Sequence, residues 1–208
     1  MIETTESPHV AGAVSVPLAG AAVWWDERYR SGDIPWETGI VPPEVVDLLA
    51  GGQMRPGWAL DLGCGSGLSS RYLAGHGFRV VGLDLALSAL VCATEAARAD
   101  ALPAFFCLAD VTQLWFLDIR ASFALDVGCF HAVAPDRRSA YVESLAARLL
   151  PGAFYLLYAL TLAREGEEGA RGINPADIGR FAPDFVLRWV QHGQDRDRSS
   201  AWYLLQRS

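Results

Sequence analysis

Two features of the 208-residue sequence predict an α/β fold built on one doubly wound sheet. Between residues 57 and 160, apolar strand patterns alternate with helical patterns, which is typical of parallel strands joined by helical crossovers. Near the C-terminus, the strand patterns 185–193 and 200–207 are separated by a short charged turn, which predicts an antiparallel hairpin. The length is sufficient for one domain with a complete hydrophobic core.

Each predicted element follows from its apolar period and from the residues that end it. Short apolar runs closed by glycine or aspartate predict strands at 57–63, 78–85, 103–110, 122–130 and 153–160, followed by the hairpin. Helical spacing between proline and glycine boundaries predicts helices at 24–31, 42–52, 66–77, 86–100, 135–150 and 174–181. Residues 1–16 have no sustained period and are predicted to form a mobile tail, so the domain is assigned to 17–208.

The composition excludes several classes of protein. Apolar residues make up 51% of the chain and charged residues 20%, which indicates a globular protein. The net charge is −7 and the basic residues are scattered, so nucleic acid is not expected as a partner. No apolar run approaches the roughly 20 residues that a membrane span needs, and the acidic N-terminus does not resemble a secretory signal. We therefore expect a cytoplasmic protein that has no membrane partner and exists as a monomer or a homodimer.

The four cysteines show no C-x-x-C spacing, so reduced thiols are expected rather than a disulfide framework or a metal site.

A glycine-rich stretch, LDLGCGSG, follows the first predicted strand and points to a ligand site. Gly63, Gly65 and Gly67 lie at the carboxyl end of that strand, which is where open parallel sheets bind ligands. Missing β-carbons let a ligand approach the backbone, and the following helix is expected to offer unpaired N–H groups. Asp84 ends the second strand, where an acid can accept both hydroxyls of a ribose, and Asp110 ends the third strand near a predicted adenine edge.

This pattern predicts a nucleoside pocket, and the C-terminal hairpin separates two interpretations of it. A dinucleotide-binding domain uses G-x-G-x-x-G and continues with parallel units. Here the spacing is G-x-G-x-G, with Asp61 two residues before the first glycine, and the sheet is predicted to finish with an antiparallel last strand.

These residues resemble the motifs of class I S-adenosylmethionine-dependent methyltransferases. LDLGCGSG is similar to their first motif and VVGLDL to their second, while CLADV, FALDVGCF and RLLPGAFYLLY are similar to the later ones. The resemblance covers about residues 40–208 and implies a Rossmann-like methyltransferase sheet of seven strands, with S-adenosylmethionine as the cofactor. It places Asp61 near the methionine amino group, Asp84 on the ribose, and Asp110 with Val111 beside the adenine. The cofactor-binding set that it implies in the core is Asp61, Gly63, Cys64, Gly65, Gly67, Asp84, Leu85, Asp110, Val111 and Asp126.

The segment WWDERYRSGDIPWETG, residues 24–39, resembles the N-terminal lid of the small-molecule branch that contains the thiopurine, halide/thiol and tellurite-resistance methyltransferases. The resemblance implies a lid at 17–41 over a core at 42–208, with Trp25, Tyr29 and Trp36 closing over the cofactor. An aromatic face can stabilise a sulfonium by cation–π attraction. A small acceptor, such as a thiol or another soft nucleophile, is therefore expected.

Alternatives remain open for single residues. Asp61 could instead pin the glycine turn, Asp110 could cap a helix, and the lid aromatics could be core residues. His131 is the histidine nearest the reacting end of the sheet and could accept a substrate proton, but it could equally be a packing residue. The charged segment 161–172 is expected to overhang the substrate.

Two further functions also remain open for the whole chain. One is a non-catalytic, regulatory module that binds S-adenosylmethionine, and the other is a nicotinamide-dependent oxidoreductase. VGCF, residues 127–130, stands where many methyltransferases that act on nucleic acids or proteins carry a proline-rich tetrad, so the nucleophile is unassigned.

Overall fold

The computed structural model describes residues 19–162 and 172–208. The predicted mobile tail, 1–16, lies outside the described residues, as does most of the predicted overhanging segment 161–172.

The described residues form one seven-stranded sheet in the order β3-β2-β1-β4-β5-β7-β6. Strands β1 to β5 are parallel, whereas β7 pairs antiparallel with both β5 and β6. This confirms the predicted fold class, with helical crossovers followed by an antiparallel hairpin. The strands are β1 Trp58–Leu62, β2 Arg79–Asp84, β3 Ala104–Leu108, β4 Ala121–Val127, β5 Leu149–Leu160, β6 Phe185–Asp195 and β7 Arg198–Arg207.

Six α-helices flank the sheet or precede it in the described residues, and each lies within or close to a predicted helical segment. They are α1 Ala19–Ser31, α2 Pro43–Ala50, α3 Leu68–Gly75, α4 Leu87–Ala99, α5 Arg138–Ala146 and α6 Pro175–Gly179. None of these helices combines the length and the apolar character needed to cross a membrane.

The fifth strand is longer than predicted, and the preceding helix is shorter. We expected residues 135–150 to be helical and Pro151 with Gly152 to separate them from a strand beginning at 153. Instead α5 ends at Ala146, and β5 begins at Leu149, which pairs with Ala121. A bulge in the ladder accommodates Pro151 and Gly152, and Gly152 has a φ of 80°. These two residues therefore bend the strand rather than mark its beginning.

The sheet is buried on both faces, as a doubly wound parallel sheet requires. Leu60 and Leu62 belong to the larger core, under α5, and Ala59 belongs to a second core that includes Val45 of α2 and Leu73 of α3. Successive side chains of β1 thus point into different cores, which fixes the register of the central strand.

The carboxyl ends of the parallel strands carry the turns that build the candidate site. The turns after β1 and β4 touch, because a Cβ built on Gly63 would lie 2.6 Å from the Cβ of Cys129. The N-terminal segment packs over the same edge. The hairpin between β6 and β7 also reaches it, where an Arg196 side-chain N–H donates to the backbone oxygen of Pro35 at 3.2 Å.

Candidate functional site

The three glycines of the loop after β1 are required by backbone conformation and by packing. Gly63, Gly65 and Gly67 have φ values of 70°, 53° and 77°, in the left-handed region that other residues rarely adopt. A Cβ on Gly65 would lie 2.4 Å from the Tyr29 hydroxyl oxygen and 2.5 Å from Glu37 Oε1. The groups that approach the loop at Gly65 are therefore side chains of the lid.

The amides of this loop, residues 63–67, are engaged within the protein, whereas the unpaired N–H groups expected from the sequence are those of the following helix. Gly63 and Cys64 donate to the backbone oxygen of Leu83, at 2.7 and 3.0 Å, and Gly67 donates to that of Cys64. The Gly65 amide donates to Asp84 at 2.9 Å, and the Ser66 amide donates to Glu37 at 3.0 Å. The polar groups that this part of the site offers to a ligand are consequently acceptors, chiefly carboxylate oxygens.

Asp84 lies at the end of β2, where the sequence placed it. Its two oxygens accept from the amides of Gly65 and Ala86, at 2.9 and 2.8 Å, so the residue is bound to the loop after β1. A carboxylate has about four lone-pair positions, so capacity remains for ligand hydroxyls. Burial raises the pKa of Asp84 above its usual value even though these amides favour the charged form. The neighbouring Leu85 is half-buried and also contributes a backbone hydrogen bond to Asp84.

The lid is joined to the glycine loop through Glu37. Ser66 donates to this carboxylate twice, from its amide at 3.0 Å and from its hydroxyl at 2.7 Å. The Tyr29 hydroxyl donates to Glu37 at 3.0 Å and accepts from Trp36 Nε1 at 3.1 Å. The structure therefore brings two predicted lid residues, Tyr29 and Trp36, to the loop through an acid that was not predicted.

Trp25 and Trp36 are also brought together, with ring centroids 5.3 Å apart in an edge-on arrangement. The Arg28 guanidinium lies 5.3 Å from the centroids of both Trp24 and Trp36. The aromatic surface of the lid therefore already holds one cation of the protein itself. The proposed contact of Trp25 and Trp36 with a sulfonium stays a prediction.

Asp61 lies beneath the loop and is only 2% exposed. Its carboxylate accepts a 2.6 Å hydrogen bond from the hydroxyl of Ser70, on α3. Burial raises the pKa of Asp61 to about 7, opposed by the hydrogen bonds from Ser70 and reinforced by the charges of Asp84 and Glu37. This geometry matches the alternative role of pinning the turn, and Cys64 is likewise turned inward, with its Sγ against Gly82.

Asp110 and Val111 follow β3 and are also largely buried. One oxygen of Asp110 accepts from the amide and hydroxyl of Thr112, and the other accepts from Arg137 at 2.8 Å. Burial would raise the pKa of Asp110, but these hydrogen bonds and the Arg137 charge outweigh burial, so the pKa is lowered. Asp110 is therefore a charged residue that organises its own turn, and the Arg137 partnership was not predicted.

Asp126 was predicted to bind the cofactor, but the structure engages its carboxylate inside the protein. It is fully buried at the end of β4, where it accepts from the amides of Cys129 and Phe130 and, at 2.6 Å, from the Tyr141 hydroxyl. Burial raises its pKa to about 7. The Asp126 carboxylate therefore stabilises the turn that leads to His131.

His131 lies at this turn, next to the ladder of β5. Its Nδ1 accepts a 3.2 Å hydrogen bond from the amide of Leu160, and its ring packs against Gly128, which has a φ of 94°. Because Nδ1 accepts, the neutral ring carries its proton on Nε2. The predicted role of proton acceptor therefore does not fit this tautomer, and His131 is arranged as a hydrogen-bond donor.

Arg138, at the start of α5, joins the His131 turn to α6. Its guanidinium donates to the backbone oxygens of Val133 and Gly172, at 3.1 and 2.9 Å. It also forms a buried ion pair with Asp177 at 2.5 Å. The turn after β4 and the chain that re-enters at residue 172 are thus held by one side chain.

Sequence reasoning missed Glu37, Ser66 and Arg137, and the reason is their separation along the chain. Glu37 meets Ser66 across 29 residues, and Arg137 meets Asp110 across 27. The helical and strand periods of a sequence do not indicate such pairs. The available signal for Glu37 was its place in the sequence, directly after Trp36 in an aromatic-rich segment.

Comparison with known proteins shows which family the central part of this chain resembles. Residues 59–152, which include most of β1, all of β2 to β4 and the start of β5, match the family model described as a methyltransferase domain. The match contains the glycine loop, Asp84, Asp110 and His131. This central part of the chain is therefore similar to methyltransferase domains, which agrees with the resemblance to class I S-adenosylmethionine-dependent methyltransferases.

Two curated relatives and one solved structure show where the chain lies among these proteins. A 2-heptyl-1-hydroxyquinolin-4(1H)-one methyltransferase from Mycobacteroides abscessus is 33% identical over 59% of this chain and 54% of its own length. Thiocyanate methyltransferase 1 from Brassica oleracea is 29% identical over 66% of this chain and 62% of its own length. The chain thus spans between half and two thirds of the length of these two curated relatives.

The solved structure is the N-methyltransferase NodS from Bradyrhizobium japonicum, in complex with S-adenosyl-l-homocysteine. Its TM-score is 0.75 at 15% identity, over 89% of this chain and 98% of that one. At this identity the likeness shows a shared fold, which agrees with the order and direction of the strands.

Proposed function

We propose that this domain transfers a methyl group from S-adenosylmethionine to a small nucleophile. The observation that carries the proposal is the acceptor-rich loop, in which the amides of residues 63–67 are engaged and carboxylates remain. Such a site suits a ligand that is cationic and rich in donors. S-adenosylmethionine has a sulfonium, an ammonium and two ribose hydroxyls.

The same observation disfavours a nicotinamide-dependent oxidoreductase. Dinucleotide domains bind pyrophosphate at the free amides of the glycine loop and helix N-terminus. Here the Glu37 carboxylate occupies the Ser66 amide, so a pyrophosphate would meet negative charge and no donor at that position. We therefore prefer a methyl donor to a dinucleotide.

When bound, S-adenosylmethionine supplies an activated methyl group. The acceptor lone pair forms the new bond to carbon while the bond from carbon to sulfur breaks and returns its electrons to sulfur. Asp84 would accept from ribose hydroxyls, the lid would exclude water, and His131 would donate a hydrogen bond toward the acceptor. Alignment in such a site can be worth roughly 7–11 kcal/mol, and a thiol that loses its proton to solvent needs no strong base.

The proposed acceptor is a small molecule, with soft nucleophiles as the first class to test. The names of the relatives support this choice, because one acts on thiocyanate and another on a hydroxyquinolinone. We also propose a cytoplasmic location, since all four cysteines are free thiols.

Calorimetric titration tests the cofactor, and an acceptor screen tests the reaction. We expect micromolar binding of S-adenosylmethionine and S-adenosylhomocysteine, no binding of NADH, and at least tenfold weaker binding by Asp84→Ala, because it loses a hydrogen-bonded charge. Asp197→Ala, on the exposed hairpin turn, is the matched control and should bind like the wild type.

The protein would then be assayed for S-adenosylhomocysteine formation with small thiols, thiocyanate and hydroxyquinolinones. Binding of NADH alone would contradict the proposal. Tight binding of S-adenosylmethionine without turnover on any acceptor class would favour the regulatory module.

A further inference from the structure

Glu37 places a negative charge of the lid directly on the glycine loop. Its carboxylate accepts both hydrogen bonds of Ser66 and a third from Tyr29. A Cβ at Gly65 would lie 2.5 Å from its Oε1, so the carboxylate rests on the loop itself. The acid is therefore fixed in the proposed cofactor site, which a solvated lid residue would not be.

Glu37 is electrostatically coupled to two other acids of the site. After burial and hydrogen bonding, its charge contributes to the raised pKa values of Asp84 and Asp61. Within residues 19–162 and 172–208, no arginine forms an ion pair with any of these three acids. The nearby Arg28 is paired with Asp33 at 2.7 Å. Like charges without a basic partner favour a cationic ligand, because the ligand then supplies the missing counter-charge.

We propose that Glu37 is a specificity-determining residue, which makes the lid hold the cationic methyl donor more tightly than the product that remains after transfer. The inference rests on the proposed function. Donor and product share the ammonium, ribose and adenine, and they differ by the methyl group and its positive charge on sulfur. Loss of that charge weakens the attraction to Glu37, so methyl transfer itself loosens the lid for product release.

The test compares two affinities in Glu37→Gln, a substitution that removes the charge and keeps the shape. Calorimetry on the full chain would measure the dissociation constants of S-adenosylmethionine and S-adenosylhomocysteine at low salt. We expect the affinity for the donor to fall about fivefold and that for the product to change less than twofold, since one charge pair is removed only for the donor. The ratio of the two affinities is the readout, because a purely structural role would weaken both ligands equally.

Two matched variants control for other effects. Glu27→Gln removes an exposed carboxylate from α1, the helix that precedes Glu37, and should leave the ratio unchanged. Tyr29→Phe removes one hydrogen bond to Glu37 but keeps its charge, so any loss should affect both ligands alike.

If Glu37→Gln does not fold, the wild type still tests the inference, since added salt should lower the ratio by screening. An unchanged ratio in Glu37→Gln, or a ratio in the wild type that is insensitive to salt, would overturn the role of Glu37 while leaving the cofactor assignment intact. Failure of the wild type to bind either ligand would instead remove the proposed function, and this inference with it.

Discussion

At the scale of single residues, the glycines of the loop show how closely the lid and the core are fitted. Gly65 combines a positive φ with two lid oxygens at the position a Cβ would take. A side chain there must displace Tyr29 and Glu37 in addition to adopting a strained backbone. The residue that the sequence identified as a ligand-contact position is thus also a contact between two parts of the protein.

We predict that Gly65→Ala lowers the free energy of unfolding by about 1–3 kcal/mol, because backbone strain adds to the displaced contacts. Urea denaturation measures this change. Gly75→Ala is the control, since a Cβ at Gly75 has open space within α3 and should stabilise the protein by up to about 1 kcal/mol. Equal effects of the two substitutions would show that the lid does not rest on Gly65.

The role of a residue was predictable where it follows from the neighbouring sequence. It was not predictable where it depends on a partner that is distant along the chain. The glycines and Asp84 stand out because they interrupt apolar strands. The proton on His131 Nε2 could not be predicted, because it depends on the Leu160 amide in another strand. The engagement of Asp126 by Tyr141 was hidden for the same reason.

At the scale of elements, α5 and α6 are connected by a buried ion pair rather than by apolar packing alone. Arg138 and Asp177 are almost fully buried, and Asp177 also accepts from the Asn174 amide in a capping box. The pair fixes the position at which the chain returns at Gly172 to the edge of the site.

We predict that Arg138→Met costs about 3–5 kcal/mol of stability, because it leaves the Asp177 carboxylate buried with much weaker compensation. Thermal or urea denaturation would measure the loss. Arg30→Met removes an ion pair from the exposed surface of α1 and should cost less than about 1 kcal/mol. The double variant Arg138→Met with Asp177→Leu should recover part of the loss, and a failure to recover would contradict the ion-pair explanation.

Most elements could be predicted from the sequence because particular residue types mark their boundaries. Proline and glycine mark the ends of α2, and aspartate marks the end of β2. The predicted beginning of β5 was wrong because Leu149 pairs with Ala121 on the far side of a bulge. This sheet pairing overrides the local signal of Pro151 and Gly152.

At the scale of the whole molecule, burial of carboxyl groups at one edge of the sheet links stability to pH. Asp61 and Asp126 lie one residue before the ends of adjacent strands, and each has a pKa of about 7 in the folded protein. In the unfolded chain both have pKa values near 4. Between about pH 4 and pH 7 the folded state therefore holds protons that the unfolded state has released, so stability falls as pH rises through this window.

We predict that the free energy of unfolding is lower at pH 8 than at pH 5, and that Asp61→Asn reduces this difference by on the order of 2 kcal/mol. Denaturation at both pH values measures the effect. Asp197→Asn, on the exposed hairpin turn, should leave the difference unchanged. A pH dependence that is identical in Asp61→Asn and in the wild type would mean that Asp61 is ionised in the fold.

The contact between Arg196 and Pro35 has a consequence for the order in which the protein is made. A ribosome releases the lid first, yet this contact joins residues 161 positions apart. At a synthesis rate of roughly 5–20 residues per second, Arg196 is added on the order of 10–30 s after Pro35. The aromatic segment of the nascent chain is meanwhile without this anchor, so its docking is completed only after the hairpin has been synthesised.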